Sequence, residues 1–444
     1  MTTQIFLSST LYGTATLAAA LDTDCFAPAD RRILLVSNNA STPETSPSLD
    51  EMPGFERLRG RFDDVISWNE TISPFHPGGW QPRLDDAPLW ERHLRLAWNL
   101  GEDDIELAVE SIQVQPALGI AQIFTGAPVT VYADGLMSYG PTRNKIDPLV
   151  GTRVTRLLHL DLVPGLKPLL LTEFGVEPEI VATDAFSKVL AELEGTGDAL
   201  PVVDEPALLL GQYLSALGIL TAAEEEDLHV RMLKGAVELG HTRVVFKPHP
   251  SAPARWSRGL EKEAEKLGAD LTVVDTPVLA EVLYQRMRPA LVVGCFSTAL
   301  LTASALYGLP VARIGTETLL ERLTPYENSN RVPVTIVDAL LPELTDRAAV
   351  TDQRQGLDTE ELTGLVRAVG YAMQPKIYPE LRPEVERYLT DRLNQHTWRY
   401  FKRRRLTSLA LPGAVPAQLA FIPRNATVRR VARRARSLKR ATLG

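Results

Sequence analysis

The chain has 444 residues, a length that suits two domains of ordinary size rather than one hydrophobic core. Cys25 and Cys295 lie far apart and form no CxxC pair, and the seven histidines show no HxxxH or HExxH spacing, which argues against a disulfide framework and against a bound metal. No run of about 18 apolar residues occurs, so the sequence predicts no transmembrane helix.

The apolar stretch at residues 5–21 resembles a signal peptide only in part. It lacks a basic segment before it, and polar residues such as Ser8 and Tyr12 interrupt it. We interpret it as a strand at 4–7, a polar loop and a helix at 15–21. We therefore expect a cytoplasmic protein.

The charge of the chain is distributed unevenly. Residues 396–444 carry 13 Lys or Arg and no acid, whereas the preceding part carries 34 basic and 55 acidic residues. Apolar residues recur in this tail at helical spacing, at Val428, Val431, Ala432, Ala435 and Leu438. Two interpretations stay open: a helix in peripheral contact with anionic lipid at the inner face of the membrane, or a solvated or disordered end. Nucleic acid is not expected as a partner, because stacking aromatics are few and the acidic remainder repels phosphates.

Strands alternate with helices along the first half, as in a parallel sheet that helices cover on both faces. The predicted strands are bounded by polar or turn residues and lie at 4–7, 33–37, 64–68, 105–109 and 129–132. Helices are predicted at 89–100 and 116–124. Two long loops, at 41–50 and 73–86, are rich in Ser, Thr, Pro or Gly, and loops of this kind are more often functional than idle.

The second half repeats this alternation. Strands are predicted at 207–213, 244–247, 271–274, 291–296 and 311–314, and helices at 222–239, 260–267, 277–285 and 297–307. The pattern predicts an α/β fold of GT-B type, with two Rossmann-like domains facing across a cleft and a basic C-terminal tail. The predicted domains are 1–195, 205–375 and 376–444, with a linker at 195–204. Ligands of such sheets bind at the C-terminal ends of the strands.

The strand at 244–247 ends in Lys247-Pro248-His249-Pro250. Each proline fixes its own φ at about −65° and biases the residue before it toward extended geometry. The imidazole of His249 is therefore held at the end of the strand, which predicts a functional histidine rather than a simple turn.

The strand at 291–296 opens into Ser297 and Thr298 at the start of a helix. Hydroxyls at a helix N-terminus form an anion site, because the free backbone N–H groups and the helix dipole point to the same place. A plain helix cap is the alternative. We expect Glu281, on the short helix predicted at 277–285, to be exposed.

Asp134 and Gly135 follow the strand at 129–132. A glycine allows close backbone approach, and a carboxylate at the edge of a cleft can take a proton from an acceptor hydroxyl. Arg143 and Lys145 come shortly after and can pair with the carboxylate of an anionic acceptor, with a solvated loop as the alternative.

The first predicted strand ends at the same cleft. Ser8, Ser9 and Thr10 follow it and are candidates for acceptor contact, with ordinary loop capping as the alternative.

With these motifs the chain resembles bacterial sialyltransferases and polysialyltransferases over roughly its first three quarters. Those enzymes share an acid-acid-Gly motif, a His-Pro motif and a Ser-Ser or Ser-Thr pair. The matches here are Asp134-Gly135, His249-Pro250 and Ser297-Thr298, in the same order. Each motif is short, so the order and spacing carry the specificity.

The resemblance implies a GT-B enzyme that moves sialic acid, or a related nonulosonic acid, from a CMP-activated donor to a glycan acceptor with inversion. It implies no cofactor and no metal. Asp134 would be the general base, His249 would support the leaving phosphate, and Ser297 with Thr298 would hold it. One position departs from the motif, because Ala133 stands where the family has its first acid.

The remaining candidates divide between the two substrates. On the donor side, the resemblance implies that Glu281 contacts the ribose, and Lys247 and Pro250 flank the histidine. The acceptor candidates, from their positions in the first predicted domain, are Ser8, Ser9, Thr10, Gly135 and Arg143.

Two other functions stay open at this point. One is another cytidine-nucleotide transferase, such as a Kdo transferase or a CDP-glycerol glycerophosphotransferase, which this chain resembles in its Pro-His-Pro element. A CDP donor carries a further phosphate and should require basic groups near Ser297 that the sequence does not show. The other is a non-catalytic GT-B relative that binds a glycan or a membrane.

Overall fold

The computed structural model of the protein describes residues 1–133, 135–194, 200–201, 203–249, 254–354 and 356–414. The chain divides into two compact units, 1–385 and 386–444. Both sheets belong to the first unit.

The first sheet has seven parallel strands in the order β3-β2-β1-β4-β5-β6-β7. Its strands are β1 Thr2–Ser8, β2 Arg31–Val36, β3 Asp64–Ser67, β4 Asp104–Glu110, β5 Val129–Ala133, β6 Val154–Leu160 and β7 Pro178–Val181. The helices of this part are α1 Leu11–Asp22, α2 Phe55–Arg59, α3 Trp68–Thr71, α4 Ala87–Ala97, α5 Ala117–Ile123, α6 Pro148–Gly151 and α7 Thr183–Glu194. The apolar runs of β1, β2 and β4 are buried, as expected for a parallel sheet.

The second sheet has five parallel strands in the order β10-β9-β8-β11-β12. Its strands are β8 Ala207–Leu210, β9 Arg243–Lys247, β10 Asp270–Val273, β11 Leu291–Gly294 and β12 Val311–Arg313. The remaining helices are α8 Ala222–Glu238, α9 Ala254–Leu267, α10 Ala280–Met287, α11 Thr298–Tyr307, α12 Thr316–Arg322, α13 Arg331–Leu340, α14 Arg347–Thr351, α15 Thr359–Met373, α16 Arg382–Arg392 and α17 Arg403–Ser408.

These two parallel α/β sheets confirm the predicted fold class, the GT-B arrangement. A capping box fixes the start of α8, where Thr221 and Glu224 exchange side-chain and backbone hydrogen bonds. The domain boundaries themselves stay a prediction. The tail beyond residue 414, including the amphipathic segment at 428–438, lies outside the described residues.

Several predicted elements need correction. Two strands were not predicted, β6 and β7, and the strand predicted to include Trp68 ends at Ser67, where α3 begins. The strands predicted at 207–213 and 291–296 end at Leu210 and Gly294. Residues 211–213 and 295–296 therefore belong to the loops that follow these strands. The helix predicted at 260–267 begins earlier, at Ala254.

Candidate active site

A cavity of about 690 Å³ lies between the two sheets, at the C-terminal ends of their strands. Its first wall comes from the segments that follow β1, β4 and β5 and includes Thr10, Tyr12, Gln113, Gly135 and Arg143. Its second wall comes from the segments that follow β8, β9 and β11 and includes Gln212, His249, Phe296, Ser297 and Thr298. The structure therefore brings together candidates from all three sequence motifs.

The two walls lie close together at Gly135 and Thr298. Gly135 has extended backbone, with φ −152°, so its backbone conformation alone does not demand glycine. A Cβ atom added at Gly135 would lie 2.9 Å from Thr298 Oγ1, closer than carbon atoms come to such neighbours. The close backbone approach expected at this glycine is therefore made toward Thr298, in the third predicted motif.

His249 lies two residues beyond the end of β9 and is exposed to the cavity. The ring of Tyr213 lies beside it, with 6.2 Å between the ring centroids. Partial burial, together with the positive charge of Lys247, lowers the pKa of His249. The imidazole is therefore mainly neutral at neutral pH until an anion arrives. Pro250 lies outside the described residues.

Ser297 and Thr298 lie where α11 begins. Ser297 is the N-cap residue, and its hydroxyl accepts a hydrogen bond from the backbone N–H of Ala299 at 3.3 Å. Thr298 is the first residue of the helix, so the first turn of α11 opens toward the cavity. The helix cap that was the alternative interpretation is present. Ser297 and Thr298 also lie where an anion site at the helix N-terminus would require them.

Lys247 and Glu281 are not among the residues that line this cavity. The expectation that Glu281 is exposed is wrong, because its side chain is only 2% exposed on α10. Burial raises the pKa of Glu281 to about 7, and burial lowers the pKa of Lys247 to about 8. Each charge partly offsets the desolvation of the other.

A hydrogen-bonded contact joins Glu281 to the first wall. The hydroxyl of Thr302 on α11 bonds to the Glu281 carboxyl group, and it lies 3.1 Å from the hydroxyl of Tyr12 on α1. The other carboxyl oxygen, Oε1 of Glu281, has no hydrogen-bond partner among the described residues. The role predicted for Glu281 at a ribose stays a prediction, and in this conformation its carboxyl group lies beside the contact between α1 and α11.

The three hydroxyl residues after β1 have different positions. Ser8 is buried, and its hydroxyl donates to the carbonyl of Thr10 and accepts from Thr14. Ser9 is half-buried and does not line the cavity. Thr10 is the N-cap of α1, accepts from the Gly13 N–H at 2.9 Å, and lines the cavity. Of the three, Thr10 is therefore the candidate that a ligand can reach.

Arg143 lines the first wall and is half-buried. Burial lowers the pKa of its guanidinium, and no carboxylate of the described residues forms an ion pair with it. A partly desolvated cation of this kind favours an anionic ligand. Lys145 is exposed and does not line the cavity. Asp134 lies outside the described residues, so its role as base stays a prediction from the motif.

Two glutamines of the cavity wall were not predicted from the sequence. Gln113 follows β4 and accepts a hydrogen bond from the backbone N–H of Arg143, and Gln212 follows β8 and accepts one from the N–H of Phe296. Both lie just past the C-terminal end of a strand, so the rule that ligands bind at these ends was the signal available for finding them.

Within the described part of the chain, no group of three or more His, Cys, Asp or Glu side chains is arranged to hold a metal ion. In the same part, every helix is too short or too polar to cross a membrane.

Comparison with known proteins identifies the family of this chain. The sequence pattern described as alpha-2,8-polysialyltransferase (POLYST) matches residues 4–316, from β1 to just past β12. The chain belongs to the alpha-2,8-polysialyltransferase family. This match confirms the resemblance carried by the three motifs, and it places the chain among glycosyltransferases. No functionally curated sequence matches it.

Solved structures show more distant similarity to this polysialyltransferase-family chain. The GT-B domain of a sialyltransferase from Photobacterium damselae is 12% identical, covering 76% of this chain and 96% of that domain, with a TM-score of 0.39. UDP-GlcNAc 2-epimerase from Methanocaldococcus jannaschii is 14% identical, covering 84% of this chain and 100% of its own, with a TM-score of 0.46. MurG from Acinetobacter baumannii is 11% identical, covering 87% and 95%, with a TM-score of 0.39.

Proposed function

We propose that the protein is an inverting glycosyltransferase that moves sialic acid, or a related nonulosonic acid, from a CMP-activated donor to a hydroxyl group of a glycan acceptor. The observation that carries the proposal is the shared cavity, where Gly135 of the first wall meets Thr298 of the second and His249 lies exposed. Family membership supports the type of sugar transferred.

The second wall suits a nucleoside monophosphate as the leaving group. Ser297, Thr298 and the first turn of α11 offer hydroxyl and backbone N–H donors to a phosphate. His249 adds an imidazole that becomes charged beside the phosphate dianion, because an adjacent negative charge favours the protonated form. We propose that these groups carry the charge that develops on CMP as its bond to the sugar breaks.

In this proposal the acceptor binds along the first wall. Its hydroxyl oxygen attacks the anomeric carbon of the donor sugar on the face opposite CMP, which inverts the configuration. The hydroxyl proton passes to a base, for which the motif proposes Asp134. Arg143 would bind a carboxylate of an anionic acceptor, and Thr10 and Gly135 line the path beside it.

The charge of the wall favours a monophosphate over a diphosphate. Among the described residues that line the cavity, only Arg143 and His249 are basic, and they lie on opposite walls. A CDP-activated donor would bring a second phosphate to a wall with a single imidazole, so we favour CMP.

Calorimetric titration with CMP, CDP, UDP and GDP, without added metal, tests the donor class. Selective binding of CMP that weakens in His249→Ala supports the proposal, and turnover of CMP-sialic acid with inverted product stereochemistry completes it. Preference for CDP would replace it with a glycerophosphotransferase-like function. No nucleotide binding would make a non-catalytic relative the leading hypothesis.

We also propose that the basic tail contacts anionic lipid at the inner face of the membrane. Its charge, 13 Lys or Arg without an acid, supports this partner. Sedimentation with vesicles that contain phosphatidylglycerol tests it, and a chain truncated after residue 395, which lacks all 13 of these cations, should no longer sediment.

A further inference from the structure

Gln212 lies two residues beyond β8 and lines the second wall of the cavity. Its side-chain oxygen accepts a hydrogen bond from the backbone N–H of Phe296 at 2.9 Å. Only the oxygen of an amide group can accept from an N–H, so this bond settles which way the amide points. The NH₂ group is left with two donors, and no acceptor among the described residues bonds to it.

The position of this NH₂ group is fixed by its anchor. Phe296 directly precedes Ser297, the N-cap of α11, so Gln212 is bonded to the loop that forms the proposed phosphate site. His249 and Thr298 line the same wall. The wall therefore combines an oriented amide donor, hydroxyl groups, a helix N-terminus and an imidazole.

We propose that Gln212 donates a hydrogen bond to the phosphate of the bound nucleotide, an inference that rests on the proposed function. A hydrogen bond to a charged oxygen is stronger than one between neutral groups. The donor is oriented before the ligand arrives, so little side-chain freedom is lost on binding. The phosphate is the anion assigned to it because the other proposed anion site, Arg143, belongs to the opposite wall.

The substitution Gln212→Glu separates this role from a structural one. Glutamate keeps an oxygen for the N–H of Phe296, so the melting temperature should stay close to that of the wild type. It replaces the NH₂ donor by an oxygen that repels phosphate. We expect CMP to bind at least about tenfold more weakly, and cytidine, which lacks phosphate, to bind as in the wild type.

Gln113→Glu is the matched comparison. Gln113 also has its oxygen fixed by a backbone N–H, that of Arg143, but it belongs to the first wall. The same chemical change there should weaken CMP binding less than Gln212→Glu does. Equal losses in the two variants would mean that general repulsion accounts for the effect and would overturn the inference.

Other results for the binding of CMP and cytidine to Gln212→Glu would contradict the inference. If Gln212→Glu binds CMP as the wild type does, or loses CMP and cytidine affinity equally, the inference is wrong. It is also wrong if CMP affinity is unchanged while the KM for CMP-sialic acid rises, since Gln212 would then contact the sugar carboxylate. If Gln212→Glu does not fold, Gln212→Met carries the test, and its ratio of CMP to cytidine affinity must fall. A wild-type protein that binds no CMP would refute the proposed function instead.

Discussion

Gly135 and Thr298 follow strands of different sheets and leave no room for a side chain between them. The Cβ of an alanine at 135 would lie 2.9 Å from Thr298 Oγ1, and the next nearest atoms of Thr298 lie 3.8 and 3.9 Å away. The hydroxyl oxygen alone therefore creates the conflict. The hydroxyl of the third motif therefore limits the size of the residue that the first motif can carry at this position.

We expect Gly135→Ala to lower the free energy of unfolding by about 1–3 kcal/mol, the usual cost of forcing an extra carbon into a packed site. The same alanine should cost much less in a Thr298→Ala protein, which lacks the conflicting atom. Thr298→Val keeps an atom in place of Oγ1 and is the matched control. A double-mutant cycle from urea unfolding measures this coupling. Equal costs of Gly135→Ala in all three backgrounds would show that the contact with Thr298 is not responsible.

The fold was largely predictable because most buried strands contain a run of apolar residues. In β11 the run Leu291–Gly294 is followed, after two residues, by Ser297 and Thr298, and these hydroxyl residues also predicted the start of α11. The missed strand β6 carries Arg156 and His159 within its apolar run. Arg156 forms an ion pair with Glu179 of β7, the edge strand. A polar contact therefore helps to hold β6 and β7 together, and a search for apolar runs does not detect such strands.

The candidate site was predictable only for those of its residues that directly follow the ends of predicted strands. His249, Ser297 and Gly135 were found in this way. The burial of Glu281 was not, because its partner Thr302 and the nearby Lys247 come from other elements. The orientation of Gln212 depends on the N–H of Phe296, which belongs to a neighbouring strand's loop, so sequence alone could not supply it.

CMP binding should take up protons at His249. Burial and Lys247 lower the pKa of this imidazole in the free protein, and a bound phosphate raises it again. We therefore expect CMP affinity to increase as the pH falls from 8 to about 7, a range in which most of the phosphate stays the dianion because its second pKa is about 6. Calorimetry in two buffers of different ionisation enthalpy measures the protons taken up at constant pH.

His249→Gln keeps a polar side chain that does not titrate in this range and is the control for proton uptake. Its CMP binding should be weaker and independent of the buffer. His249→Ala should lower the turnover rate by about 10²–10³, as for the loss of one donor to a developing charge. Unchanged proton uptake in His249→Gln would assign the effect to another group.

Arg143 should determine the preference for anionic acceptors. Arg143→Gln should raise the KM for a sialylated oligosaccharide by about tenfold or more, because a hydrogen bond to a charged group is lost. The KM for CMP-sialic acid and for an uncharged acceptor such as lactose should change little. Lys145→Gln, an exposed substitution outside the cavity, is the matched control. A rise of the KM for both acceptors alike would mean that Arg143 acts on the shape of the wall rather than on charge.

Glu281 should make stability depend on pH. Its pKa in the folded protein is raised to about 7 by burial, from a usual value of 4.5. The folded state therefore holds a proton that the unfolded state releases, and the resulting stability is present below pH 4.5 and lost as the pH rises through 7. The full loss corresponds to about 3 kcal/mol. Lys247, whose pKa is lowered to about 8, acts with the opposite sign and only at higher pH.

Urea unfolding between pH 5 and 7.5 isolates the contribution of Glu281. The wild type should lose stability relative to Glu281→Gln across this range, because glutamine cannot ionise. Glu261→Gln on α9 replaces an exposed glutamate and should run parallel to the wild type at every pH. If Glu281→Gln also runs parallel to the wild type, Glu281 is already ionised at pH 5, and the contact from Tyr12 through Thr302 would then end at a carboxylate rather than at a carboxylic acid.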